Sequence, residues 1–260
     1  MTGVILAAGC GGRLRSAVGA VPKCLIPIGD STLLERQIRC LHEVGVDRIA
    51  VVAGYRADAV QRVIGSDVSL LYNPRFASTN SLYSLWIARD YLREACVVAN
   101  ADVLFHPQLL VDLVTARYDD ALLVASRRGA FSDEEMKVRI RGGCVVAIAK
   151  TIAASAADAE NVGIARFGAD GARMLIDETY RLLQAGVTAW VPAAFDRFCR
   201  RRPLHAVDSR GYPWIEIDFP EDYWRACREV LPAIDGIDDQ HSRALSQVAV
   251  AGSRRTGCHV

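Results

Sequence analysis

Five short apolar runs, each separated from the next by a stretch with helical spacing, constrain this chain more than any other feature. They are Val4–Ala8 (VILAA), Arg48–Gly54 (RIAVVAG), Val68–Tyr72 (VSLLY), Cys96–Phe105 (CVVANADVLF) and Ala121–Ser126 (ALLVAS). Between the first two lies STLLERQIRCLHEVGV, where Leu33, Leu34, Ile38, Leu41 and Val44 recur at helical spacing. A Ser31 or Thr32 cap opens that helix and Gly45 stops it. Further helices are expected over ADAVQRVIG, Thr79–Leu92 and Pro107–Arg117. Strands that are apolar at nearly every position must be covered on both faces, the signature of a largely parallel sheet with crossover helices. The expected class is α/β, in three αβα layers. In such sheets ligands sit beyond the carboxyl ends of the strands, which puts Gly9–Arg13 and Asn100–Asp102 on one rim.

From about Met136 the pattern changes. MKVRI and CVVAIAK flank Arg141-Gly142-Gly143, a hairpin signal, and Asn161–Phe167 is a further strand. An amphipathic helix spans Gly171–Gly186, and a second lies around Ala193–Arg200. Strands follow near LHAV and WIEI, then a helix over Pro220–Leu231. The hairpin adds antiparallel strands, so the sheet should be mixed. Residues 1–231 are expected to form one domain, and 232–260 a loosely structured tail with room for one short helix, because periodicity is lost there and small and polar residues take over.

Composition excludes several classes of function. A net charge of +1 supplies no field to steer the chain toward nucleic acid or an anionic membrane. No run reaches the roughly 18 apolar residues that a membrane-spanning helix needs. Met1-Thr2-Gly3 lacks the basic region of a signal peptide, so a cytoplasmic protein is expected. The eight cysteines are scattered without a Cys-x-x-Cys pair, which fits reduced, structural thiols. Cys10 differs, since it lies in a glycine-rich, cation-flanked loop.

That loop, LAAGCGGRL, is neither a Walker A sequence nor a dinucleotide fingerprint. No Lys-Ser or Lys-Thr follows, and the sixth position counted from Gly9 is Leu14. Gly9, Gly11 and Gly12 would still let backbone N–H groups approach an anion. Arg13 follows directly, and Lys23 comes ten residues later in VPKCLIP, a pair of cations suited to a polyphosphate or simply solvated beside an ordinary turn. Asp102 at a strand end could hold Mg2+ or cap the next turn. Glu216 and Asp218 share a strand face by period two and need a partner, a metal being one candidate and helix capping the bland alternative. Asn80, Ser81 and Ser84 bring polar groups to a helix start, with Tyr83 and Trp86 read chiefly as packing. The five histidines show no metal-ligand spacing.

Taken together, VILAAGCGGRL, VPKCLIPIG, LLERQIRCLHEVGV and IAVVAGY resemble the N-terminal half of sugar-phosphate nucleotidyltransferases. NSLYSLW, VVANADVLF, EMKVRI, ENVGIARF and WIEIDFPEDY are similar to the bacterial phosphocholine cytidylyltransferase branch, with its relatives acting on small phosphonates or inositol phosphate. The resemblance runs from Thr2 to Leu231. It implies a Rossmann-like three-layer αβα sandwich of the nucleotide-diphospho-sugar transferase type, with a mixed, mostly parallel sheet. A donor half would span about 1–126 and an acceptor half about 127–231.

Carried over residue by residue, the resemblance implies that the loop of Leu6, Ala7, Ala8, Gly9, Gly11 and Gly12 holds CTP or another NTP. Arg13 would lie against the triphosphate and Lys23 would contact phosphate oxygens in the transition state. Asn80 and Ser81 would lie near base and sugar, while Asp102 and Asp218 would bind Mg2+. Lys137 and Lys150 stand where relatives grip a small phosphate or phosphonate acceptor, with Glu160 and Asn161 beside them. Neither nucleic acid nor membrane insertion is implied, and a homodimer is possible. Two departures stand out. Most relatives carry Ser or Thr directly before the loop arginine, where this chain has Gly12. A quaternary ammonium acceptor would need an aromatic cage, which Trp190, Phe195, Phe198, Tyr212 and Trp214 form only if they converge.

The implied reaction is attack by an acceptor phosphate or phosphonate oxygen on the α-phosphorus of CTP, with pyrophosphate leaving. Such a nucleophile is already ionised, a phosphomonoester having a second pKa of about 6, so no protein base is required. The alternatives are a sugar-1-phosphate nucleotidyltransferase using another NTP, a nucleotide-sugar-dependent glycosyltransferase and a non-catalytic nucleotide sensor. Most glycosyltransferases of that kind carry Asp-x-Asp where this chain has Asn100-Ala101-Asp102.

Overall fold

Every residue of β1 (Thr2–Ala7) is buried, and the strand lies at the centre of a parallel block. The computed structural model describes residues 1–127 and 131–238. After β1 come α1 (Arg15–Val18), a small ribbon of β2 (Pro27–Ile28) and β3 (Ser31–Thr32), and α2 (Leu33–Glu43). The sequence pattern did not anticipate that ribbon. Thr32 caps α2 reciprocally: its hydroxyl accepts from the Glu35 amide at 3.2 Å, while the Glu35 carboxylate accepts from the Thr32 amide at 2.8 Å. The chain continues through β4 (Arg48–Ala53), α3 (Ala57–Val63), β5 (Val68–Tyr72) and α4 (Ser81–Ile87), a helix shorter than the expected Thr79–Leu92 and followed by a tighter turn over Arg89–Leu92.

The expected single strand Cys96–Phe105 is two. β6 (Cys96–Asn100) belongs to the main sheet, whereas β7 (Val103–Phe105) leaves it to pair with a strand from the far end of the domain. Then follow α5 (Pro107–Thr115), β8 (Ala121–Ser126), β9 (Lys137–Arg141), β10 (Cys144–Ala149), β11 (Ala159–Phe167), α6 (Ala169–Gln184), α7 (Pro192–Cys199), β12 (His205–Asp208), β13 (Trp214–Glu216) and α8 (Pro220–Arg225). Gly142 and Gly143, at φ 56° and 77°, make the two-residue turn between β9 and β10. Beyond α8 the helix passes through a wider turn over Ala226–Val230 and stays helical over 231–238, with Ile234 buried. The first seven residues of the expected tail are therefore packed helix. The remainder, Cys258 included, lies outside the described residues.

The main sheet has nine strands in the order β5-β4-β1-β6-β11-β8-β12-β10-β9. It is mixed: β11 runs antiparallel to β6 and β8, and β10 antiparallel to β9 and β12, while the other strands share one direction. Alternation along each strand feeds two apolar clusters. Ile5, Val51 and Val97 pack with Leu34 and Leu41 of α2 and Leu109 of α5. Val4, Val52 and Val98 pack with Leu82 and Leu85 of α4 and Leu175 of α6. A third cluster joins Leu14, Ile26 and Leu33 to Ile215, Ile217 and Ile234, fastening the last helix beside the loop after β1.

Candidate active site

β1 and β6 are registered with Leu6 opposite Asn100, so the glycine-rich loop and the Asn100–Asp102 corner emerge side by side at the carboxyl rim. A cleft of about 430 Å3 opens there. Its lining includes Leu6, Ala8, Gly9, Cys10, Arg13, Asn80, Ser81, Asn100, Asp102, Glu216 and Asp218, together with Glu134, Met136, Lys150, Asn161 and Trp190 from the second half of the chain.

The break between β6 and β7 builds the floor. Leaving the ladder at Ala101 frees the carbonyls on either side, and buried Gln37 of α2 satisfies both. Its amide donates to Asn100 O at 2.9 Å and to Val103 O at 2.8 Å. β13 pairs antiparallel with β7, and the Ile217 amide donates to Asp102 O at 2.9 Å. Those bonds bring Glu216 and Asp218 next to Asp102 across more than a hundred residues. Asp222 steadies the last of them, its carboxylate accepting from the Asp218 and Phe219 amides at 3.1 and 2.9 Å. Arg13, which lines the cleft, lies over the Phe219 ring, 4.9 Å from its centroid. Pattern reading missed Gln37 and Asp222, since a lone amide on a helix and an acid in a first turn carry no signal before the strand break is known.

Lys23 is pinned from below and from the side. Cys24 and Leu25, its neighbours in a tight turn, are buried in the core. Gly11, at φ +57°, sits so close that a Cβ there would come within 3.1 Å of the Lys23 Cβ. The Lys23 Nζ donates to Asp102 Oδ2 at 2.8 Å and also to Asp218 Oδ1. Burial opposes the ammonium charge, but the Asp102 and Asp218 carboxylates outweigh it and hold the lysine above its ordinary range. Glu216 is pushed up to about 8, first by burial and then by the Asp102 and Asp218 charges. Burial pushes the Cys24 thiol up to about 12, leaving it a protonated packing group.

These residues suit a hard divalent cation. The other Asp102 oxygen, Oδ1, is buried and lacks a hydrogen-bond partner among the described residues. No three His, Cys, Asp or Glu side chains there converge into a protein-only cage. Mg2+ is commonly held by one or two carboxylates together with substrate phosphates rather than by such a cage.

The remaining candidates fall in several places. Ser81 lines the cleft, and its hydroxyl accepts from the Val191 amide at 3.0 Å. Asn80 precedes α4 without using its side chain as a cap. Tyr83 and Trp86 line a separate groove with Tyr180. Lys150 faces the cleft, 3.1 Å from Glu134 and 5.4 Å from the Trp190 ring centroid. Asn161 lines the cleft, although its side-chain oxygen accepts from the Gly163 amide at 2.9 Å. Glu160 is displaced from the cleft lining, 3.6 Å from Arg127, and burial followed by the Glu135 charge pushes it up to about 7. Lys137 is displaced as well: it is 1% exposed and its ammonium is engaged by backbone carbonyls. The suggested aromatics do not converge. Phe195 and Phe198 pack on Phe167 in the core, Tyr212 lies against His106, and Trp190 alone of the five lines the cleft.

Comparison with known proteins follows this geometry. Residues 3–215 match a family described as the MobA-like NTP transferase domain. A choline-phosphate cytidylyltransferase from Streptococcus pneumoniae is 33% identical over 121 residues, 45% of this chain and 52% of that protein, so the match spans about half its length. A CTP:phosphoglutamine cytidylyltransferase from Campylobacter jejuni is 23% identical over 251 residues, 85% of this chain and 97% of that protein. Among solved structures, the inositol-1-phosphate CTP transferase from T. maritima superposes with a TM-score of 0.71 at 20% identity, covering 88% of this chain and 95% of that one. The fold is thus the Rossmann-like one of nucleotide-diphospho-sugar transferases.

Proposed function

The chain belongs to the MobA-like NTP transferase domain family, and on that premise we propose that it is a cytidylyltransferase. It moves CMP from CTP to a small phosphate or phosphonate acceptor and releases pyrophosphate. One observation carries this reading: a lysine ammonium held between two carboxylates from distant parts of the chain, at the mouth of a glycine-rich loop. The named activities of the relatives support CTP as donor. The two apolar clusters on opposite strand faces support the three-layer αβα arrangement.

In this reading the backbone of Ala8 and Gly9 lies along the nucleotide, and Arg13, steadied by Phe219, faces the triphosphate. Lys23 stays protonated because Asp102 and Asp218 favour its charge, so it offers a fixed positive centre where charge builds on the α-phosphoryl oxygens. Asp102 and Asp218 would hold Mg2+, which when bound neutralises phosphate charge and brings two anions together. Lys150 draws the acceptor phosphate or phosphonate to the opposite end of the cleft. An acceptor oxygen attacks the α-phosphorus, the bond to the bridging oxygen breaks, and pyrophosphate leaves with that electron pair. The enzyme's contribution is alignment and electrostatics, so no general base is assigned.

A panel of CTP, UTP, GTP and ATP against phosphocholine, a phosphonate, inositol phosphate and a sugar-1-phosphate tests the proposal through pyrophosphate release. CTP-dependent release with a phosphorylated or phosphonate acceptor is expected. Release confined to a sugar-1-phosphate with another nucleotide would overturn it, as would no release with any pair.

A further inference from the structure

The β9–β10 hairpin is closed at one end by its Gly142-Gly143 turn and is open at the other, where Lys137 pairs with Ala149. At that open end β10 stops at Ala149, while β9 still borders β11, where the Asn161 amide donates to Met136 O at 2.9 Å; the carbonyls of Ser132, Glu135 and Lys150 lie outside the strands. The Lys137 side chain, 1% exposed, fills the gap. Its Nζ donates to Lys150 O at 2.7 Å, to Ser132 O at 2.8 Å and to Glu135 O at 3.3 Å. An ammonium has three protons, and all three are engaged. One buried cation therefore joins the segment entering β9 to the residue leaving β10. The same two segments carry Glu134, Met136 and Lys150 into the cleft.

We propose that Lys137 is a positioning residue, which sets the acceptor end of the cleft by tying the 132–135 segment to the backbone of Lys150 and does not itself touch the acceptor. The inference rests on the acceptor binding beside Lys150, as proposed above. The lysine that lines the cleft is the one whose carbonyl Lys137 holds, so the two act as anchor and contact. A small displacement of a contact group is enough to cost up to about a hundredfold in rate or affinity.

The test compares Lys137→Met, Lys150→Met and the double variant. Lys137→Met is expected to raise the acceptor KM about tenfold while leaving the CTP KM unchanged. The double variant should fall well short of the product of the two single effects, because Lys137 acts through the placement of Lys150 and its neighbours. Multiplying effects would mean direct contact and overturn the proposal. Equal changes in both KM values, or none, would reduce Lys137 to general structural support and overturn it too. Amide hydrogen exchange supplies a readout independent of turnover: protection should fall over 131–136 and 149–151 while β1 and β4 keep theirs, and unchanged protection at the first two sites refutes the tie. Should Lys137→Met fail to fold, Lys137→Gln, which keeps an amide donor for two of the carbonyls, carries the same comparisons. If the unaltered protein releases no pyrophosphate with any acceptor, the proposed function fails by itself and the exchange measurement still decides the role of Lys137.

Discussion

Replacing Lys23 by methionine removes the cation from a cluster of three carboxyl groups with little change in side-chain volume. A unit charge pair about 3 Å apart interacts by roughly 6 kcal/mol at an effective dielectric of 20, before the burial of the ammonium is set against it. Removing one member of a fully buried pair typically costs about 3–5 kcal/mol. Here the Asp218 side chain is 40% exposed while Asp102 is 24% exposed, so water replaces much of the first contact and less of the second. A loss of about 2–3 kcal/mol near neutral pH is expected after that discount. Its pH dependence follows from the carboxylates left behind. Glu216 already stands at about 8 with Lys23 beside it, and the Lys23 charge holds it down. Removing that charge raises Glu216 further, so the folded variant keeps a proton to higher pH and the stability lost to the substitution grows as pH rises past about 8. Turnover should fall by about two to three orders of magnitude, the effect of removing one preorganised electrostatic group. Urea unfolding across that pH range and initial rates of pyrophosphate release measure the two effects separately. Unchanged stability at pH 8 together with near-normal turnover would refute the reasoning.

Three other substitutions probe the same rim. Glu216→Gln should flatten the pH dependence of stability between about 4.5 and 8, since the native Glu216 favours its protonated form and stability is lost as pH rises through that window; an unaltered slope in metal-free unfolding would count against it. Gly12→Ser places a hydroxyl where no heavy atom lies within 4 Å of the added Cβ. CTP affinity measured by calorimetry should improve about three- to tenfold, the worth of one added hydrogen bond, and unchanged or weaker binding would contradict this. Gln37→Leu leaves the Asn100 and Val103 carbonyls unpartnered, with an expected cost of about 2–3 kcal/mol and a lower turnover because Asp102 sits between them. A stability loss with fully retained turnover would separate Gln37 from the site.

The parallel half of the sheet is legible because its signals are local. β1, β4, β5 and β8 coincide with continuous apolar runs, and α2 starts at the Thr32 cap that its Thr-x-x-Glu spacing announces. The break after Asn100 is not local. Apolar character continues on both sides of Ala101-Asp102, and what ends β6 is the pairing of β7 with β13 together with the two bonds from Gln37. The continuation of the last helix to 238 was hidden for a similar reason. Its residues look weakly periodic in isolation, but Ile234 is buried against a cluster assembled from the loop after β1.

The two lysines expected to grip the acceptor show where residue type stops being informative. Lys137 and Lys150 are equally plausible as surface cations in the sequence, yet one is sealed under three carbonyls and the other faces the cleft. The proposed donor end is set by backbone geometry at strand ends, which glycines and an arginine announce directly. The proposed acceptor end is set by how a hairpin's open end is closed, which depends on contacts among residues 132–137 and 150. A change in that closure can move Lys150, Glu134 and Met136 together without altering the loop proposed to hold the nucleotide. Acceptor choice can therefore diverge on an unchanged donor site. That separation fits relatives whose names share cytidylyl transfer and differ in the phosphorylated partner, and it requires Lys137→Met to change acceptor KM with no change in CTP KM.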